Sequence, residues 1–187
     1  MVASRARVAE RIDMRQAGLL GAECTGKTSV ASALAAELSA IHVPEALRSF
    51  VETRGRVPAV EDQAGILSEQ RAGVQMARLD HPDSLLICDP LALMTAIYSI
   101  AYFDDSSLLA DAIEDARTYD LIWWCRPDLP WTPDGNQRDG EERRSQVDAL
   151  IGQIVTEAGL TVVELHGSID TRIREAINSV QGRVTPE

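Results

Sequence analysis

Residues 21–28 read Gly21-Ala22-Glu23-Cys24-Thr25-Gly26-Lys27-Thr28 and match the pattern G-x-x-x-x-G-K-[ST] at every specified position. Those residue types at that spacing cradle a polyphosphate. Gly21 and Gly26 let backbone N–H groups turn inward and approach phosphate oxygens. A helix opening at Lys27 adds its positive dipole end and its unpaired donors. Lys27 reaches the β and γ oxygens, and the Thr28 hydroxyl coordinates Mg²⁺. Glu23, Cys24, Thr25 and Ser29 complete the nucleotide-facing set. Lys27 is also the only lysine among 18 Lys and Arg residues. Arginine serves wherever a generic cation suffices, and this position keeps a compact ammonium on a flexible stem. ATP and Mg²⁺ are the expected cofactors.

Three further groups bear chemistry. Leu85-Leu86-Ile87-Cys88-Asp89 is an apolar run ending in a carboxylate. Beside the phosphate loop, Asp89 would be a second oxygen ligand near Mg²⁺; a strand-ending Asp also serves simply to cap a helix. Pro44-Glu45-Ala46-Leu47-Arg48 follows a short apolar segment, so Glu45 would sit at a strand's carboxyl end. There it can accept a proton from an acceptor hydroxyl, with Arg48 holding it or binding substrate oxygens. The same five residues also read as a generic helix start with an ion pair. Trp131-Thr132-Pro133-Asp134-Gly135-Asn136-Gln137-Arg138 suits a lid over about 126–146 that excludes water during transfer. Arg138, Arg143 or Arg144 would meet the charge on the moving phosphoryl group, or pair with Glu141 and Glu142 on a solvated loop.

The elements that must hold these residues alternate in type. Strands are expected at 17–20, 41–43, 84–88, 119–125 and 161–165. Helices are expected at 27–39, 61–79, 91–102, 106–117, 141–158 and 169–180, with 104–106 capping the fourth. Alternating apolar strands and amphipathic helices imply an α/β fold with a parallel sheet covered on both faces, its ligands at the strands' carboxyl ends. The expected organisation is a loose segment at 1–14, one domain over 15–182, and a tail at 183–187.

Composition narrows the function. With 18 basic against 29 acidic residues the net charge is −11, which excludes a basic footprint for nucleic acid or anionic membrane. No apolar run nears membrane-span length, and no secretory signal is visible, so a cytoplasmic protein is expected. Cys24, Cys88 and Cys125 are too scattered for zinc or paired bridges and read as reduced thiols. Cys24 alone lies where inward N–H groups would favour its thiolate. Trp123 and Trp124 are expected in the core, one on each sheet face, and His42, His81 and His166 in structural roles. An N-K-x-D guanine-reading motif would need a second lysine, so a GTPase of that type is excluded.

Taken together, Gly21 to Thr28, Glu45 and Arg48, Glu69-Gln70-Arg71, Asp89, Trp131, Asp134-Gly135 and Arg138 resemble the NadR-type ribosylnicotinamide kinase family, a branch of the P-loop kinases with an AAA-like ATP-binding domain. The resemblance spans about residues 16–180. It implies a P-loop NTPase three-layer sandwich with five parallel strands in the order 2-3-1-4-5. It also implies transfer of the ATP γ-phosphate to the 5′-hydroxyl of a riboside, with Glu45 or Asp89 as base and metal partner and with Gln70 and Arg48 facing the acceptor. Trp131 joins them as a substrate contact. The family carries aromatics where this chain has Pro44, Ala46 and Ala72; Tyr98, Tyr102 and Phe50 are the candidates to stand in for stacking. The expected activity is therefore a small-molecule kinase acting on a nucleoside-like hydroxyl acceptor. The alternative is a P-loop ATPase or nucleotide-binding module with no acceptor.

Overall fold

The computed structural model describes residues 14–131 and 140–181. The expected N-terminal segment, the tail, Asp134-Gly135 and Arg138 lie largely or wholly outside the described residues. Five short strands are β1 (Gln16–Leu20), β2 (Ile41–Val43), β3 (Leu86–Cys88), β4 (Leu121–Cys125) and β5 (Val163–Leu165). Between and after them run α1 (Lys27–Glu37), α2 (Ala46–Arg54), α3 (Val60–Asp80), α4 (Leu93–Phe103), α5 (Leu109–Ala116), α6 (Glu141–Glu157) and α7 (Ile169–Gln181). The strands form one parallel sheet in the order β2-β3-β1-β4-β5.

Alternation along β1 and β4 divides the core into two layers. Ala17, Leu19, Leu121 and Trp123 face Val30 and Leu34 of α1 and Ala176 and Val180 of α7. Leu20, Ile122 and Trp124 face Ile97 of α4, Ala112 of α5 and Ile151 of α6. The two tryptophans therefore point to opposite layers, as their adjacency requires. Each indole N–H is satisfied, by Ser179 Oγ at 2.9 Å and by Asp148 Oδ1 at 3.0 Å. Gly18 lets Leu91 cross β1 closely: a Cβ there would lie 2.6 Å from Leu91 Cγ.

Two local expectations change. The chain from Ala46 to Arg54 is helical, ending at Gly55 with φ 64°. None of its residues is buried, although Leu47, Phe50 and Val51 fall at helical spacing. The acidic cluster does not cap the helix as expected: Asp105 Oδ1 accepts the Ser107 N–H at 2.9 Å in a preceding turn, and α5 begins later, at Leu109, with no side-chain cap.

Candidate active site

β1 ends at Leu20, and residues 21–26 turn the chain into α1. Three positions adopt backbone angles that turn needs: Gly21 at φ 149°, Cys24 at φ 55° and Gly26 at φ 78°. Gly21 is also sterically required, because its neighbour is backbone, whereas Gly26 is held to glycine by its φ and abuts a movable side-chain tip. A Cβ on Gly21 would sit 2.7 Å from the Cys125 carbonyl oxygen, and one on Gly26 would sit 2.5 Å from Ile169 Cδ1. Thr25 is fully buried, and its hydroxyl donates to the Ala22 carbonyl at 2.8 Å. The start of α1 carries no side-chain cap and no acidic residue in its first turn. Its N–H groups and dipole are thus left for an anion. The Lys27 ammonium folds back over the loop and donates to the Gly21 and Ala22 carbonyls, at 2.8 Å each. Thr28 is half-buried beside it and Ser29 is exposed.

The parallel register brings the second group of residues to the same edge. Val43 pairs with Cys88, and the next N–H, that of Asp89, donates to the Val43 carbonyl at 2.9 Å. Asp89 is 2% exposed. Its Oδ2 lies 3.3 Å from His42 Nε2, while its Oδ1 is buried with no hydrogen-bond partner among the described residues. A buried carboxylate oxygen left open suits a hard cation, for which the expected second ligand is the Thr28 hydroxyl. Among the described residues no three His, Cys, Asp or Glu side chains gather as a metal cage. A magnesium site completed by phosphate oxygens needs none. His42, expected to be structural, is a neighbour of this carboxylate; the link is across strands and leaves no trace in local spacing.

Glu45 occupies the position before α2, half-buried, with no capping hydrogen bond from its side chain. Burial pushes its carboxyl above the ordinary glutamate value, opposed by the Lys27 charge, reinforced by the Asp89 charge and opposed by Arg48. The phosphate-loop ammonium, the strand-ending carboxylate and Glu45 therefore share one electrostatic neighbourhood. Arg48 lies exposed on α2. Gln70 is 4% exposed, and its amide is engaged at both ends: Oε1 accepts the Ala46 N–H at 2.7 Å and Nε2 donates to the Pro44 carbonyl at 3.2 Å. It thus grips the backbone on either side of Glu45. Grooves of about 320 and 300 Å³ adjoin α2 where it leans on α3.

Two tyrosines of α4 form a wall near the loop. The Tyr102 hydroxyl donates to Glu23 Oε1 at 3.4 Å, and its ring lies 5.9 Å from that of Tyr98. Burial pushes the Tyr98 hydroxyl far up, and the Glu23 and Glu45 charges add to it. The Arg143 guanidinium stands over the Tyr102 ring at 5.0 Å. Arg144 instead is buried and donates to the Pro127 and Leu129 carbonyls at 2.6 and 3.0 Å, bracing the base of the expected lid. Among the described residues neither arginine pairs with Glu141 or Glu142. Trp131, within the expected lid, is half-buried at the last described position before residue 140. Phe50 lies under Arg56, 5.2 Å from ring centre to guanidinium.

A family model described as an AAA domain matches residues 18–172. The chain belongs to that family. The match runs from β1 through the first turn of α7, so it includes every element that carries the site. No curated protein matches by sequence. Among solved structures, the chain is similar to a NadR protein in complex with NR, with TM-score 0.75 and 22% identity over 95% of this chain and 53% of that one. It spans about half of NadR's length. It is also similar to deoxyadenosine kinase from M. mycoides with dATP bound, at TM-score 0.61 and 12% identity, over 89% and 99% of the two chains. Thymidylate kinase from Candida albicans follows at TM-score 0.56 and 13% identity, over 90% and 92%. The AAA domain thus has the fold shared by P-loop nucleoside and nucleotide kinases. Among the described residues no helix is long and apolar enough to cross a membrane.

Proposed function

We propose that this AAA domain is an ATP-dependent phosphotransferase that moves the γ-phosphate to a hydroxyl of a small nucleoside-like acceptor, in the manner of a nicotinamide riboside kinase. One observation carries the reading: pairing of β2 with β3 sets Asp89, its buried Oδ1 open, beside the strand end that leads into Glu45, and Glu45 lies within electrostatic reach of both Asp89 and Lys27. A carboxylate there can take the proton of an acceptor hydroxyl or of water, and the acceptor decides between transfer and hydrolysis. The kinase titles of the similar structures point the same way.

In this reading the loop N–H groups and Lys27 hold the β and γ phosphates, and Lys27 exchanges its two carbonyl partners for phosphate oxygens. Thr28 and Asp89 hold magnesium, whose chemistry when bound is to neutralise charge on the β and γ oxygens. Glu45 takes the proton from the acceptor hydroxyl as that oxygen attacks. Tyr98 and Tyr102 offer the acceptor's ring a face, Arg48 and Trp131 border it, and Gln70 keeps Glu45 in place from behind. Arg138 of the lid meets the transferred phosphoryl group.

The test is phosphoryl transfer from Mg-ATP to a panel of ribosides and deoxyribosides, read by ³¹P NMR. ATP consumption that depends on an acceptor, with a phosphomonoester as product, is expected. Acceptor-independent release of inorganic phosphate at the same rate would overturn the proposal in favour of an ATPase.

A further inference from the structure

Arg172, in the first turn of α7, has no exposed surface. Its Nε donates to the Gly167 carbonyl at 2.9 Å and its Nη1 to the Thr25 carbonyl at 3.0 Å. Its Nη2 donates to the Arg126 carbonyl at 2.8 Å and to Asp128 Oδ1. One guanidinium therefore joins the phosphate loop, the exit of β4 and the turn between β5 and α7. Burying a cation costs several kcal/mol. Here it is offset by one carboxylate and three carbonyls arranged around a planar fork, which a lysine could not engage together. Asp128 is committed to the pair: burial works against its charge, yet the Gly167 N–H and Arg172 hold its carboxyl below the usual range.

The Thr25 carbonyl gives this hub a consequence for the site. The described residues contain a cis peptide only at Asp89–Pro90, so the Thr25–Gly26 peptide is trans. In a planar trans peptide the C=O and N–H point in opposite directions. With Thr25 O drawn to α7, the Gly26 N–H is turned away from α7. Gly26 is the residue immediately before α1, and with φ 78° it has no side chain to resist a peptide flip.

We propose that Arg172 is a positioning residue for nucleotide phosphate. It holds the Thr25–Gly26 peptide in the orientation that offers the Gly26 N–H to a phosphate oxygen. The proposal rests on residues 21–28 being a polyphosphate cradle. Sequence pattern alone does not reveal the residue, since it lies 147 positions from Thr25.

The experiment measures Kd for Mg-ATP and for magnesium tripolyphosphate by calorimetry, together with ligand-free Tm and steady-state kinetics. The chains compared are wild type, Arg172→Lys, Arg172→Met and Asp128→Asn. Arg172→Met is expected to weaken both ligands by about tenfold or more, the worth of a charge-assisted hydrogen bond. Arg172→Lys should recover part of that loss. Asp128→Asn keeps the guanidinium, and its partly exposed position spares the fold if Arg172→Met does not fold; it should weaken both ligands by about threefold. KM for ATP should rise while kcat and the acceptor KM hold. Kd values within about twofold of wild type in Arg172→Lys and Asp128→Asn would overturn the proposal, as would losses falling equally on ATP and acceptor. Loss of ATP affinity with tripolyphosphate affinity intact would overturn it too. A wild-type chain that binds neither ligand would overturn the cradle reading itself.

Discussion

The Lys27 ammonium lies 2.8 Å from the Gly21 carbonyl oxygen, so the loop's cation is bound by the loop's own first residue. Together with the Ala22 carbonyl at the same distance, this prices phosphate binding as an exchange of partners. The ammonium gives up two carbonyl dipoles and gains formal negative charge. Lys27→Ala should lower kcat/KM for ATP about a hundredfold or more, as loss of one preorganised charge does in such sites. Lys27→Arg should fare little better, because a planar fork does not fit between two carbonyls that a point charge bridges. Calorimetry with Mg-ATP and initial-rate kinetics read both.

Glu45→Gln separates chemistry from stability. Removing a general base should cut kcat by about 10²–10⁴ while Mg-ATP affinity holds. Stability should move the other way. Burial raises the folded-state pKa of Glu45, so its contribution is fully present below the unfolded-state pKa and is lost as pH rises through the folded one. Above that folded-state pKa the wild-type carboxylate is ionised at a cost, and there Glu45→Gln should melt at a higher temperature. Below about pH 4 the two proteins should converge. The acid limb of the wild-type kcat profile should also lie above the ordinary glutamate range. Melting curves and a pH–rate series test these together.

One thiol should react in the folded protein. Cys24 is half-exposed in the loop, whereas Cys88 and Cys125 are buried, and burial pushes their thiols up to about 12 and about 11. A thiol reagent should label Cys24 alone by mass spectrometry, and Mg-ATP should slow the labelling. A rate indifferent to nucleotide would place Cys24 away from the phosphates.

Gln70→Ala should loosen α2. That helix buries none of its residues, and Gln70 grips the backbone at Pro44 and Ala46. Losing both bonds should cost about 1–3 kcal/mol locally. Amide exchange over 44–54 should quicken while α1 and β4 remain protected, and kcat should fall with the KM for ATP unchanged.

Local physics wrote much of this protein legibly along the chain. The phosphate loop is contiguous, and its glycines, lone lysine and helix start each follow from neighbours within eight residues. Apolar runs and helical spacing likewise announced five strands and six of the helices, and alternating types implied a parallel sheet, because only right-handed crossovers through helices join such strands. The order 2-3-1-4-5 came from the family resemblance, and the structure has that order. The helix at 46–54 was legible only as a helix start at 44–48; its apolar residues Leu47, Phe50 and Val51 cover a single turn, too short a run to fix its extent.

Long-range convergence was decided by tertiary structure alone. His42 meets Asp89 because β2 and β3 are paired in register. Gln70 meets Pro44 and Ala46 because α3 passes behind the loop that opens α2. Arg172 meets Thr25 because the last helix returns beside the first. A side chain's type shows what it can bond, but which groups lie within about 3 Å depends on packing summed over the whole sheet. So the loop's pattern and the turn into α1 could be read from eight letters, while the pieces packed around it waited on the fold.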